Sequence, residues 1–313
     1  GQRIVVIGSG ATAVTLVPEL ARDAAQVTML QRSPSYVMTL PRRDGVAAGL
    51  MRILPERLAW SLVRGRNIVL NQLFFNACRA WPRLMGRWLV GQAQRQAGPQ
   101  TDAQAFAPRY APWDQRLCIV PDGDLFKALR SGRASVLAGE IAGFGERSVR
   151  MKDGRECEAD IIVSATGLEL QLIGGMTLSI DGQAIDPAQC LAYKGVMFSG
   201  VPNFIATFGY TNASWTLKAD LTARWMCRLL KVLQRSGHAA AVPVRNPQAR
   251  EQPFLDLSSG YVERARGRLP AQGDRAPWRV HQNHLRNVWM LGLAPVTDPW
   301  LRLLKKGPAP QGN

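Results

Sequence analysis

The stretch "RIVVIGSGATAVTLVPELA", Arg3 to Ala21, leaves the chain little choice of fold. Ile4 to Ile7 is a continuous apolar run, as expected of a strand buried on both faces. Gly8-Ser9-Gly10 reads as a turn, Ala11 to about Arg22 as a helix, and Val27 to Leu30 as a second strand. That order is βαβ spacing and predicts a parallel sheet. The turn, Gly8-x-Gly10-x-x-Ala13, fits the dinucleotide fingerprint with alanine in the third place. Gly8 permits the tight bend, Gly10 lets a pyrophosphate approach the backbone, and Ala13 lets the helix lie close to the strand. The helix start then offers unpaired N–H groups and a positive dipole to the anion, with the Thr12 hydroxyl as a further donor. The end of the second strand selects the nucleotide. An NAD site usually carries Asp or Glu there, whereas this chain has Gln31-Arg32-Ser33. A carboxylate would repel a 2′-phosphate and a guanidinium can grip it with paired hydrogen bonds, so Arg32 points to NADP.

Beyond the second strand the pattern changes character. From Gly45 to about Ala97 apolar residues recur at helical spacing, such as Leu50, Leu54, Leu58 and Leu62, and Pro55 and Pro82 fit helix starts. Two or three helices are expected here, forming an insert that reaches to about residue 112. In "PDGDLFKALRSG" a short helix is expected, capped by Asp122 or Asp124 and ending at Gly132. "ADIIVSATG" (Ala159 to Gly167) reads as another buried strand, and Val201 to Gly209 as a further strand. Leu217, Leu221, Trp225 and Leu229 mark one face of a long helix that stops near Gly237, with Ser214 at its start.

With 313 residues, 46% hydrophobic and 20% charged, the chain has material for about two globular domains. No run of apolar residues is long enough for a membrane span, and the start has no signal-peptide order. It also has no initiating Met, and the first strand begins almost at once, so a fragment is expected. Five cysteines (78, 118, 157, 190, 227) lie far apart with no CxxC, which fits scattered thiols in a reducing compartment. The net charge of +16 would suit nucleic acid, an anionic membrane or anionic cofactors. The basic residues are spread along the chain and no nucleic-acid-binding motif accompanies them, so general arginine richness is the simpler reading and no nucleic-acid partner is expected. His281 and His284 have H-x-x-H spacing without a carboxylate or Cys set, so no metal is expected.

Several longer stretches carry a family resemblance. "ADIIVSATG" resembles the D-x-x-I-x-A-T-G segment of flavin-containing monooxygenases. "YAPWDQRLCIVPDGDLF", "AYKGVMFSGVPN", "GYTNASWTLKADL" and "LPAQGDRAPWRVHQNHL" all look like Baeyer–Villiger-type flavoprotein monooxygenases, and the resemblance runs over nearly the whole chain. It implies an α/β fold: a Rossmann-like NADP-binding domain over residues 1–165 with the helical insert, then the C-terminal part of a second, FAD-binding Rossmann-like domain over 166–313. Members of the family also carry a separate flavin-binding GxGxxG turn, which is not in this sequence. The quoted turn resembles their second nucleotide site, so Gly8, Ser9, Gly10, Ala11, Thr12, Ala13, Val14, Gln31 and Arg32 are the residues that carry over to NADP.

The resemblance also implies the chemistry. NADPH reduces FAD, the reduced flavin captures O₂ as a C4a-peroxide, and the peroxide inserts one oxygen atom into a ketone or oxygenates sulfur. Arg116, in "PWDQRLC", stands at the family's catalytic arginine. Its fixed charge would stabilise the anionic adduct and touch the nicotinamide, with Asp114 as a conceivable orienter. Trp278 and Gln282 would belong to the flavin side. The alternative is an NADP-binding remnant without turnover. The insert admits two readings. Between Gly45 and Ala97 stand eight arginines (52, 57, 64, 66, 79, 83, 87, 95) and one acidic residue, Glu56, with bulky apolar residues between them. It would be a lid over the substrate pocket, or a peripheral contact between a cytoplasmic protein and the inner face of the cell membrane.

Overall fold

A computed structural model describes residues 1–306; residues 307–313, the end of the expected second domain, lie outside the described residues. The chain divides into two compact units, one of Gly1–Leu168 with Leu257–Gly260, the other of Glu169–Asp256 with Tyr261–Asn313.

The first unit opens with β1 (Arg3–Ile7), α1 (Ala11–Leu20) and β2 (Gln26–Gln31). It continues through β3 (Val37–Leu40), three helices α2 (Gly45–Ile53), α3 (Glu56–Ala80) and α4 (Pro82–Ala97), and β4 (Cys118–Pro121), which lies parallel to β3. Next come α5 (Asp124–Arg130), β5 (Ala134–Ala138), an antiparallel meander β6 (Ile141–Phe144), β7 (Ser148–Met151) and β8 (Glu156–Glu158), and finally β9 (Ile161–Ser164). The main sheet is parallel throughout, in the order β5-β2-β1-β9. Its alternating side chains fill two cores. Ile4, Val6, Val27 and Met29 pack against Val14 and Val17 of α1 and Leu125 and Phe126 of α5. Val5 and Leu30 pack against Val149, Met151 and Ala159 at the meander. A strand clothed on both faces must be apolar at every position, which is why Ile4–Ile7 shows no alternation.

Two local expectations in this unit need correction. The strand in "ADIIVSATG" is short, and Ile161 and Ile162 are exposed; β9 is an edge strand, paired only to β1. Neither Asp122 nor Asp124 caps α5: the position is Gly123, in the left-handed region at φ 69°. The Asp122 carboxylate accepts instead from the Arg42 backbone N–H at 2.9 Å, and Asp124 pairs with Arg42 at 3.1 Å. The insert forms three helices, with Pro55 at the N-cap of α3 and Pro82 opening α4, as their places in the sequence predict.

The second unit has small antiparallel pairs, β10 (Leu178–Ile180) with β11 (Gln183–Ile185) and β12 (Ala192–Tyr193) with β13 (Met197–Phe198). One long helix follows, α6 (Trp215–Ser236), closed by Gly237 at φ 65°. The remaining pairs are β14 (Ala240–Pro243) with β17 (Leu301–Leu304), and β15 (Glu251–Pro253) with β16 (Ala271–Gly273). Leu221, Trp225, Leu229 and Leu233 of α6 are buried among Tyr193, Met197, Trp278, Leu291 and Leu301. Val201 to Gly209 is not a strand. Pro202 and Asn203, the latter at φ 57°, make a turn whose side chain bonds Ala241 N–H and Ala239 O, and only Ile205 bridges to Met197.

Asp160 locks the start of β9 to the start of β1. It accepts from the Arg3 backbone N–H at 2.9 Å and pairs with the Arg3 guanidinium at 3.1 Å and with Arg147 at 2.8 Å. The hydrogen bonds from Arg3, with that of Arg147, hold its carboxyl well below the usual carboxylate range. A depressed acid stabilises the fold above its unfolded value, near 3.8, and that contribution is lost as pH falls towards the folded value. Asp160→Asn should therefore lower the melting temperature at pH 7, and the gap from wild type should close as both are titrated from pH 4 towards pH 2.

Candidate dinucleotide site

The sheet order reverses at β1, whose neighbours are β2 on one side and β9 on the other, so a crevice opens outside its carboxyl end. Gly8 sits there. Its N–H donates to Leu30 O at 2.8 Å and its φ is 140°, and a Cβ would collide with the Ala165 carbonyl just beyond β9. Gly10, at the N-cap of α1, is different: its backbone is ordinary and extended, and a Cβ there would meet nothing within 4 Å. That open space is where an incoming phosphate can reach the backbone. No side chain caps α1 and no acidic residue stands in its first turn, so its leading N–H groups and dipole face the crevice uncompensated. Ala11 and Thr12 are exposed at this end, whereas Ala13 and Val14 are buried and seat the helix on the sheet. Ser9 is a structural tie: its hydroxyl donates to Ser33 O at 2.8 Å and lies 3.0 Å from the Ser35 hydroxyl.

That tie brings the loop after β2 to the turn, and with it Arg32. Gln31 is buried and its amide donates to Ala105 O at 2.7 Å, so it braces the loop rather than facing the crevice. Arg32 is exposed. Gly139 N–H donates to Gln31 O at 2.9 Å, which places Glu140 beside Arg32. Glu140 pairs with Lys152 at 2.7 Å, and Lys152 N–H donates to Glu140 O at 2.8 Å. The Lys152 hydrogen bond and charge, with a smaller contribution from Arg32, hold the Glu140 carboxyl below its ordinary value. The strand end therefore presents two cations around one carboxylate. The sequence reading missed Glu140 and Lys152, because only the β2–β5 pairing brings them there.

Arg116 is exposed, next to the buried Leu117 and three residues after the buried Trp113, whose φ is 71°. Two residues on, the Cys118 sulfur lies 3.9 Å from Ser9 O, so the start of β4 abuts the glycine turn. Burial pushes the Cys118 thiol up to about 11, with the Arg116 charge opposing the rise. Asp114 does not orient Arg116. It accepts from Ala111 N–H at 3.1 Å and pairs with Arg79 at 2.6 Å, so it fastens α3 to this loop.

The second unit holds its own polar cluster. Gln282 accepts from Thr211 N–H at 2.9 Å, and Asn212 donates to Gln282 O at 3.0 Å. Trp278 is fully buried. Ser214 begins α6 but its hydroxyl bonds Thr216, 2.8 Å away, rather than capping the helix. Lys218 is buried with its ammonium 2.6 Å from Asn287 Oδ1, and desolvation pushes it down to about 7. Its place on the Leu221–Trp225 face was the available sequence signal. His281 is pushed down by burial and then by Arg286, Arg279 and Lys218. Among the described residues no group of His, Cys, Asp or Glu is arranged to hold a metal.

A βαβ unit with an uncapped helix start, an open glycine and a cationic strand end defines the class: a Rossmann-like dinucleotide-binding α/β protein. Over nearly its whole length the chain is homologous to bacterial FAD-containing monooxygenases. It is 49% identical over 314 aligned positions to the FAD-containing monooxygenase EthA of Mycobacterium tuberculosis, covering 99% of this chain and 64% of that protein. It is 44% identical over 309 positions to the probable FAD-binding monooxygenase AlmA of Acinetobacter baylyi, covering 98% of this chain and 62% of that one. The chain thus spans less than two thirds of these relatives. Similar folds occur in an oxidized steroid monooxygenase bound to NADP (TM-score 0.63, 15% identity, 98% of this chain and 67% of that one) and in closed cyclohexanone monooxygenase (TM-score 0.55, 18% identity, 79% and 55%). No protein-family model matches the chain.

The two glycines separate folding from binding. Gly8→Ala should lower the melting temperature, because the added methyl meets Ala165 at a strained φ. Gly10→Ala should leave it unchanged yet weaken NADPH binding about tenfold, as read by calorimetry. Lys218 should show in the pH profile. Between about 7 and its ordinary 10.5 the unfolded chain binds a proton that the folded chain does not, so stability rises with pH. The melting temperature should climb from pH 7 to pH 9 in wild type and less steeply in Lys218→Met.

Proposed function

We propose that this chain supplies the NADPH-binding domain, and part of the FAD-binding domain, of an FAD-dependent monooxygenase of the Baeyer–Villiger type. The observation that carries the reading is the uncapped N-terminus of α1 beside an open Gly10, with Arg32 rather than a carboxylate at the end of β2. The residues fit NADPH. The Gly10 backbone and the leading N–H groups of α1 would hold the pyrophosphate, and Gly8 keeps that backbone in place. Arg32, with Lys152 close by, would take the 2′-phosphate, which distinguishes NADPH from NADH. FAD, when bound, would supply the activation of O₂ that no side chain can perform. Arg116 presents a planar guanidinium with several donors. Its task would be to hold the nicotinamide and to stabilise negative charge developing on the reacting oxygen atoms of a ketone or thio-compound substrate. Homology to FAD-containing monooxygenases supports the flavoprotein assignment; the alternative, a non-catalytic NADP-binding remnant of such an enzyme, would bind NADPH without turnover.

The test is nucleotide selectivity. Arg32→Ala should weaken NADPH binding by about tenfold to a hundredfold and leave NADH unchanged, since a charge-assisted pair to the 2′-phosphate is lost. Glu140→Gln should strengthen NADPH binding modestly by removing a carboxylate from the phosphate's side. Equal losses for the two nucleotides in Arg32→Ala would overturn the NADP assignment. Flavin binding is checked separately by titrating the purified chain with FAD and following quenching of flavin fluorescence.

A further inference from the structure

The helices α2, α3 and α4 leave an unusual surface. α2 buries none of its residues, and of the 25 residues of α3 only Ala59 and Cys78 are buried. A helix that packs on a globular core buries a continuous apolar stripe. Here that stripe faces outward: Leu58, Leu62, Val69 and Leu73 recur every three to four residues with Gly65 between them, and all four side chains are about half exposed. Ile53 at 82% and Trp81 at 62% extend the apolar surface, and Trp60 and Trp88 are exposed as well.

The charge on these helices is one-sided. Gly45 to Ala97 holds eight arginines and a single glutamate, close to half of the chain's net +16. Arg66 is neutralised by Asp44 and Arg79 by Asp114. Arg52, Arg57, Arg83 and Arg87 are exposed and form no ion pair among the described residues. Arg64 lies over the Trp60 ring at 4.9 Å.

From this arrangement we infer that the α2–α4 face docks on an anionic lipid surface, lying in the headgroup region without crossing the bilayer. Charge complementarity selects this occupant. A second copy of the chain would set one arginine-rich face against another with a single glutamate on each side to offset them. Anionic headgroups supply the opposite charge, and the bilayer interface accepts Leu, Val and above all Trp side chains beside arginines that keep their heads in water. No helix among the described residues is long and apolar enough to span the bilayer.

The experiment is sedimentation of the purified chain with vesicles of phosphatidylcholine alone or mixed with phosphatidylglycerol, the acyl chains brominated to quench inserted tryptophan. Wild type should sediment with the mixed vesicles, lose about tenfold in binding between 0.05 and 0.5 M salt, and show quenched tryptophan emission. Leu62→Glu with Val69→Glu, at unchanged helicity by circular dichroism, should abolish both signals. Lys231→Ala with Arg235→Ala, which makes the same charge change on α6, should leave them. Equal retention by the two double variants would mean that the net charge alone adsorbs the protein, and would overturn the assignment of this face. Failure of wild type to bind anionic vesicles at low salt would overturn it too. So would a dimer in analytical ultracentrifugation that L62E/V69E dissolves in a protein that ignores vesicles, because the occupant would then be a second copy.

Discussion

The pairing of one short strand decides where the chemistry of this chain can lie. β1 is hydrogen-bonded in parallel to β2 on one side and to β9 on the other, Ile4 opposite both Val27 and Ile161. Both ladders run the same way, so the ends of three strands deliver Gly8, Gln31 and Ser164 to one edge of the sheet. The crevice there is a consequence of order and direction, before any side chain is considered. Close packing at Gly8 against Ala165 then fixes the turn, and the fixed turn aims the start of α1 at the crevice. The Arg3–Asp160–Arg147 cluster anchors the opposite ends of the same two strands.

This explains which parts of the molecule could be read from sequence. The glycine turn was legible because its meaning is local: an apolar run, two glycines and an alanine at fixed spacing can do little else. The face of α6 was legible for the same reason, since Leu221, Trp225 and Leu229 repeat at the helical period. What depended on distant pairing was not. Glu140 reaches Arg32 only through the β2–β5 register, and Asp114 finds Arg79 rather than Arg116, its nearer neighbour in sequence. The apolar run after Val201 resembled a strand, yet Pro202 and the left-handed Asn203 commit it to a turn.

Exposure was the property least visible beforehand. "ADIIVSATG" has the composition of a buried strand, and its isoleucines are exposed because β9 lies at the edge of its sheet. Helical periodicity in the insert likewise predicted helices without saying what their apolar side would meet. A hydrophobic pattern records that a surface wants covering, and the cover need not come from the same chain.

The two charged regions of the first unit follow opposite designs. At the end of β2 the cations are few and placed against a fixed background: Arg32 and Lys152 stand around Glu140, and the helix dipole adds to them at a single crevice. On the proposed reading, removing one group there should change selectivity for one phosphate. On α2–α4 the arginines are many, mostly without carboxylates, and spread along helices whose apolar side chains are interleaved with them. Arg52, Arg57, Arg83 and Arg87, which form no ion pair among the described residues, are distributed along α2, α3 and α4 rather than gathered around one carboxylate. Such a distribution matches a ligand that is itself a continuous charged surface, for which summed potential counts more than any one contact. Convergence and spreading are therefore the physical criterion that separates the proposed nucleotide site from the proposed surface contact within one unit of this protein.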